Sequence, residues 1–152
     1  MPNATISRLG IVGHEAAKFT LPMEAIARNR IRDAIEIYRP DHVISGGCHL
    51  GGIDIWAEEE ARNYGIEPTV HLPKWRQWTP NGYKERNLKI AHGSDLVLVI
   101  VAQDYHKGYQ GQRFGSCYHC RDNRPTHIKS GACWTAMRAK AAEWSIVPVI
   151  EE

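Results

Sequence analysis

The sequence predicts an α/β protein. It reads as one Rossmann-like three-layer domain, a five-stranded parallel sheet of order 3-2-1-4-5 with helices on both faces. Three observations carry that prediction. Short apolar runs alternate with amphipathic helical stretches throughout, giving β-α-β-α-β-α-β-α-β, the pattern of a parallel sheet covered on both sides. The run DLVLVIVA (95–102) is apolar at successive positions, as a central strand buried on both faces must be. Right-handed crossovers between parallel strands then restrict their order.

Each element has its own signal. RLGIVGH (8–14) is a short apolar run ending in glycine and reads as the first, buried strand. In 22–38, Ile26, Ile31, Ala34, Ile35 and Tyr38 fall near one helical face, with Arg and Glu opposite. Pro22 suits a first turn, and Pro40 with Asp41 breaks the helix. HVISGG (42–47) is the second strand. IDIWAEEEARNYG (53–65) is the second helix, stopped by Gly65. IEPTVHLP (66–73) is the third strand, KWRQWTPNG (74–82) a basic and aromatic loop, and YKERNLKIAHGS (83–94) the third helix. The fourth strand precedes an irregular stretch, 103–130, rich in His, Gly, Gln, Arg and Cys. GACWTAMRAKAAEW (131–144) reads as the fourth helix and IVPVI (146–150) as the last strand.

The 152 residues suit a single domain over 1–152, with a Cys/His-rich insertion at 103–130. A hydrophobic share of 43% with 24% charged residues is ordinary for a globular chain, so neither disorder nor a fibre is indicated. A net charge of +2 gives no reason to expect nucleic acid. No apolar run approaches the ~20 residues that span a bilayer. The N-terminus lacks a charged-then-apolar signal pattern, so a cytoplasmic protein without a membrane partner is expected. An exposed helix face would suit a homo-oligomer.

The densest feature is SGGCHLGGIDIWAEE (45–59), a glycine-rich turn between strand and helix. In open parallel sheets, ligands bind beyond the carboxyl ends of the strands, where strand order reverses. Gly13 and His14 flank that point, and the glycine turn stands beside it. Bare amides and a helix N-terminus there suit a phosphate, and Asp54 could cap the helix or meet a ribose hydroxyl. The plain alternative is a tight turn with a capping acid. The turn fits neither the dinucleotide fingerprint nor the P-loop. Glu58, Glu59 and Glu60 read as a solvated helix face.

SGGCHLGGIDIWAEEEARNYGI (45–66) resembles the Ser-Gly-Gly-x-x-x-Gly-Gly-Ile-Asp pattern of the SLOG superfamily, which includes the Rossmann-like domain of DNA-processing protein A and the Lonely Guy phosphoribohydrolases. The similarity continues through LPKW (72–75) and ERNLKIAHGSDLVLVIV (85–101), and resumes at KSGACWTAMRAKA (129–141). The resemblance implies a pocket for a nucleoside phosphate or an ADP-ribose-like ligand. It would place Ser45, Gly46, Gly47, Gly51, Gly52 and Asp54 in a phosphate–ribose cradle. Arg86 and Asn87 would face it from the third helix, and Ser130, Gly131 and Thr135 from the fourth. Trp75 would be a wall for a base or sugar, against the plain reading of a core tryptophan, and Arg86 could equally be a surface ion-pair partner. The Lonely Guy pattern Pro-Gly-Gly-x-Gly-Thr-x-x-Glu is not matched here: proline and threonine are missing and the acid comes early, at Asp54.

CYHCRDNRPTHIKSGAC (117–133) is a second constellation. Cys117 and Cys120 have the spacing of a metal knuckle, and His127 and Cys133 complete a three-thiolate, one-imidazole set suited to structural zinc. His119 and His106 are alternative ligands. A Cys117–Cys120 redox pair, or free thiols, are the other readings. The metal argument is that 103–130 carries few apolar anchors to offset the entropy of ordering it. Cys48 reads as a small filler.

Three functions are therefore open. A binding module would sense or sequester a nucleotide-derived small molecule. An enzyme on the same pocket would cleave or transfer at an N-glycosidic bond, and needs a carboxylate, for which Asp54, Glu58 and Glu85 are the candidates. A single-stranded DNA binder would use Lys74, Trp75, Arg76 and Trp78 as a stacking loop. Its brevity and the modest net charge put it last.

Overall fold

The computed structural model describes residues 5–120 and 126–152. Strands β1 (Arg8–Gly13), β2 (His42–Ser45), β3 (Thr69–Val70), β4 (Leu96–Ala102) and β5 (Ala142–Val147) form one sheet in the order β3-β2-β1-β4-β5. Every pairing is parallel, with Leu9 opposite Leu96, Ile44 opposite Thr69 and Val97 opposite Ala142. The expected order is thus the observed one. Helices α1 (Leu21–Tyr38) and α2 (Ile53–Asn63) cover one face, and α3 (Tyr83–Gly93) and α4 (Gly131–Met137) the other. A single 3-10 turn, Ala16–Lys18, joins β1 to α1.

Strand β4 shows why the apolar run is continuous. Leu96, Leu98, Ile100 and Ala102 join the core under α1 and α2, while Val97, Val99 and Val101 join the core under α3 and α4. All seven residues are buried. Helix α1 begins at Thr20, whose side chain accepts the Met23 N–H, with Pro22 in the first turn as its fixed φ favours. It buries Met23, Ala27, Ile31, Ala34 and Ile35, with Ile26 and Tyr38 half-buried at the rim. The helix ends on Arg39 in the left-handed region (φ 47°), and Pro40 prevents continuation. Among the described residues no helix is long and apolar enough to cross a membrane.

Two boundaries differ from expectation. Helix α4 stops at Met137, and 142–147, expected to be helical as far as Trp144, form β5. The Ala-rich stretch has helical propensity, but backbone bonds along the whole of β4 outweigh it, down to the Val97 N–H donated to the Ala141 carbonyl. Strand β3 is two residues rather than eight, because β2 offers a partner only at Ile44 and Ser45. The three glutamates of α2 also differ from a solvated face. Glu59 is exposed, but Glu60 is buried and holds Arg28 at 3.0 Å and Arg32 at 3.1 Å, tying α2 to α1. Glu58 is buried as well.

Candidate functional site

A cavity of about 260 Å³ opens at the carboxyl end of β1, between α2, α3 and α4. Gly13 and Asp54 line it from one side, Tyr83, Arg86 and Asn87 from α3, and Thr135 from α4. This is the switch point at which strand order reverses. Helix α3 presents Tyr83, Arg86, Asn87 and Ile90 together because these positions follow the three- and four-residue spacing of one helical face.

The donors are unequally spent. Arg86 gives Nη1–H to the Gly46 carbonyl at 2.5 Å and Nε–H to Asn87 Oδ1 at 2.6 Å, and packs over Tyr83 at 5.2 Å. Two of the five guanidinium N–H groups are thereby used among the described residues, which leaves three. Because Asn87 Oδ1 accepts from Arg86, its NH2 group is the part left over. Thr135 donates to the Gly131 carbonyl at 3.3 Å and so presents an acceptor oxygen.

The glycine turn is built differently from a bare cradle. Gly47, Gly51 and Gly52 have φ of 58°, 76° and 87°, a region only glycine enters without strain. The amides are largely committed: Gly47 N–H to Ser45 Oγ (3.2 Å), Gly51 N–H to the Cys48 carbonyl (3.0 Å), and Ile53 N–H to the His14 carbonyl (3.1 Å). The Cys48 N–H bonds Asp54 Oδ2 at 3.2 Å. The anion held by the turn is thus the protein's own Asp54. A Cβ at Gly46 would lie 2.6 Å from Arg86 Nη1 and 2.8 Å from Asp54 Oδ2, so that glycine lets acid and base approach one backbone. A Cβ at Gly52 would run into the His14 carbonyl and the Ala16 amide. Gly52→Ala is expected to cost about 2 kcal/mol from strain and crowding, measured by urea unfolding.

Of the three candidate acids, only Asp54 lines the cavity. Burial pushes its carboxyl up to about 6, against the opposing pull of Arg86 and the Cys48 N–H. Glu58 lies behind it, accepting the Ser45 hydroxyl at 2.6 Å, and Ser45 itself is fully buried. Glu85 turns away to Lys74 (3.6 Å) and Lys89 (3.7 Å). Trp75 is 61% exposed and does not line the cavity; Trp78, three residues on, does. Trp75, which the LPKW resemblance implied as a wall, thus stands outside this cavity, and Trp78 of the same loop borders it.

His14 has no nitrogen left for a ligand. Its Nδ1 accepts the Ala102 N–H at 2.9 Å, so the proton sits on Nε2, which donates to the Lys129 carbonyl at 3.1 Å. Burial lowers its pKa to about 3, with Lys18 adding to the effect. The neutral ring ties the end of β1 to the end of β4 and to the approach to α4. Ser130 caps α4 by accepting the Ala132 N–H. With Gly131 it borders a neighbouring chamber, and Gly131 lines the main cavity too.

Beside α4, Cys117, Cys120, His127 and Cys133 are all buried, with ligand atoms within 4.8 Å of one another. A tetrahedral shell about 2.3 Å from its centre has edges of about 3.8 Å. Cys117 Sγ and Cys120 Sγ are 3.8 Å apart, and Cys120 and Cys133 lie 3.2 and 3.1 Å from His127 Nε2. The four residues could hold a metal ion. No disulfide joins them. The Cys117–Cys133 contact acts on both thiols: with His119 and His127 it pulls Cys117 below its ordinary range, and with burial and Cys120 it pushes Cys133 above it. Of the alternative ligands, His106 lies away from the cluster, its Nε2 bonded to the Ala17 carbonyl at 2.8 Å, whereas His119 stays beside it, with Nδ1 4.0 Å from Cys117 Sγ and its ring stacked on Tyr118 at 4.4 Å.

No protein-family model, curated protein or solved structure matches the chain. What the two sites do must therefore be argued from their geometry. They adjoin: Trp78 packs edge-on against His119 at 5.4 Å and Trp134 at 5.3 Å, so the wall of the cavity rests on the knuckle.

Proposed function

We propose that the protein is a SLOG-like module that binds a nucleotide-derived small molecule in the switch-point cavity, with a structural zinc ion behind it. The observation that carries this reading is the convergence of unspent Arg86 and Asn87 donors with Asp54, between the aromatic walls of Trp78 and Tyr83. A phosphate suits Arg86, a ribose hydroxyl suits Asp54, and a base suits the aromatic faces. The volume of about 260 Å³ lies just below the usual range of ligand pockets, so this cavity by itself suits the nucleoside monophosphate part of a ligand. The resemblance of 45–66 and 85–101 to the superfamily agrees with this.

Zinc follows from the chemistry of the ligands. Three sulfurs and an imidazole favour it over hard cations, and four protein ligands leave no open position for catalysis. The ion would be held by Cys117, Cys120, His127 and Cys133, and would fix the approach to α4.

One observation favours an enzyme as the second reading. A buried carboxyl raised to about 6 suits proton transfer at neutral pH, here toward an N-glycosidic bond. Single-stranded DNA has no such support, since Lys74 is already paired with Glu85. Calorimetry with AMP, followed by chromatography, separates the readings. Intact AMP recovered from the complex supports binding, and released adenine supports catalysis. Arg86→Ala is expected to weaken AMP about tenfold or more, the loss of a charge-assisted bond to phosphate. Unchanged affinity removes Arg86 from the site.

A further inference from the structure

We infer that the cavity continues into a second chamber that receives a second phosphoryl group of the same ligand; this rests on the reading of the first chamber as a nucleotide site. The second chamber has a volume of about 280 Å³ and shares two lining residues with the first, Gly13 and Gly131. Neither has a side chain to place in the shared wall.

The new lining is cationic. Lys129 lies over Phe114 at 4.4 Å and Tyr118 at 4.9 Å, held by two ring faces and paired with no carboxylate among the described residues. Lys18, with a side chain only 14% exposed, pairs with Glu15 at 3.3 Å. An ammonium has three donors, so two remain after that bond and all three if the guest displaces Glu15. The charged groups facing the chamber are Lys18, Lys129 and Glu15, which leaves one net positive charge. His14 adds none, because both its nitrogens bond backbone groups and its ring stays neutral. Phe114 is the only large apolar side chain in the lining, so this end suits an anion rather than a base. Arg86 in one chamber and two lysines in the next favour a nucleoside carrying two phosphoryl groups over a monophosphate.

Calorimetry with AMP, ADP and adenosine 3′,5′-bisphosphate tests this, on the wild type and on Lys18→Gln and Lys129→Gln. One of the two-phosphate nucleotides is expected to bind about tenfold tighter than AMP, and which one does so fixes the second phosphate on the 5′ or the 3′ side. In both variants that advantage is lost while the AMP affinity and the melting temperature hold. Equal affinity of all three nucleotides overturns the inference, as does a loss in the variants that falls equally on AMP. Inorganic pyrophosphate is titrated alongside. If no nucleotide binds, the nucleotide reading falls; pyrophosphate binding that the lysine variants abolish then still supports the anion chamber, and its absence ends it.

Discussion

Cys133→Ser protein is expected to purify without stoichiometric zinc and to melt about 10 °C below the wild type. Cys133 is fully buried on α4, while Cys117, Cys120 and His127 come from the preceding loop, so this one sulfur joins loop to helix. Losing a ligand leaves polar sulfur and imidazole groups buried without their shared partner, a cost of about 3–5 kcal/mol. For a chain of this size each kcal/mol moves the melting temperature by about 2–4 °C. Serine could also disturb α4 directly, so a second measurement is needed. Chelator added to the wild type should reproduce the drop, and zinc should restore it. Elemental analysis showing no metal in the wild type, with chelator leaving the melting curve unmoved, would sink the zinc assignment. The rest of the loop is not expected to collapse with the knuckle. Arg113 lies over Tyr105 at 5.3 Å and Tyr109 at 5.9 Å, and His106 bonds Ala17, which anchors 105–114 independently of metal.

The pH response of stability is expected to expose two buried groups working in opposite directions. His14 has a folded pKa of about 3 against 6.5 unfolded. Its contribution is complete above pH 6.5 and is lost as the pH falls toward 3. At about 1.4 kcal/mol per unit the full loss is on the order of 5 kcal/mol. Asp54 is raised from 3.8 to about 6, so the folded form takes up a proton before the unfolded form does. Stability from this group therefore rises as the pH falls from 6 to 3.8, by about 3 kcal/mol at most. Asp54→Asn should accordingly be more stable than the wild type above pH 7, by up to that amount. The advantage should vanish below pH 4, where only the His14 loss remains. Taking the difference between the two proteins at each pH cancels acid effects on the thiolates that both share. A constant difference across pH 4–8 would show that Asp54 is not the strained acid described. The same variant should bind AMP more weakly if the carboxylate meets a ribose hydroxyl, a trade of function against stability.

Much of this was legible in the sequence, for identifiable reasons. Strand order follows from alternation and crossover handedness, which are properties of the chain as a whole. The metal set was legible because Cys117, Cys120, His127 and Cys133 are unusual residue types at close spacing. The end of α4 was not, since the alanines of 136–142 suit a helix until β4 recruits 142–147. The state of the glycine turn was equally hidden. Glycine spacing shows that amides are accessible, but not that Asp54, two residues past Gly52, folds back to take the Cys48 N–H. Buried hydrogen bonds of a single side chain depend on a rotamer, and no periodicity records one.

Strand β4 carries an obligation during synthesis. Its seven apolar residues, with no proline and no charge, are the kind of segment that stacks with copies of itself when left exposed. One flank, β1, is made long before it, but the other, β5, is made only after residues 103–141 have followed. A nascent chain ending anywhere short of 142 therefore shows a naked hydrophobic ribbon along one edge. Asp95 and Asp104 stand just outside its two ends and put a negative charge on each flank, the arrangement that opposes self-association of such a segment.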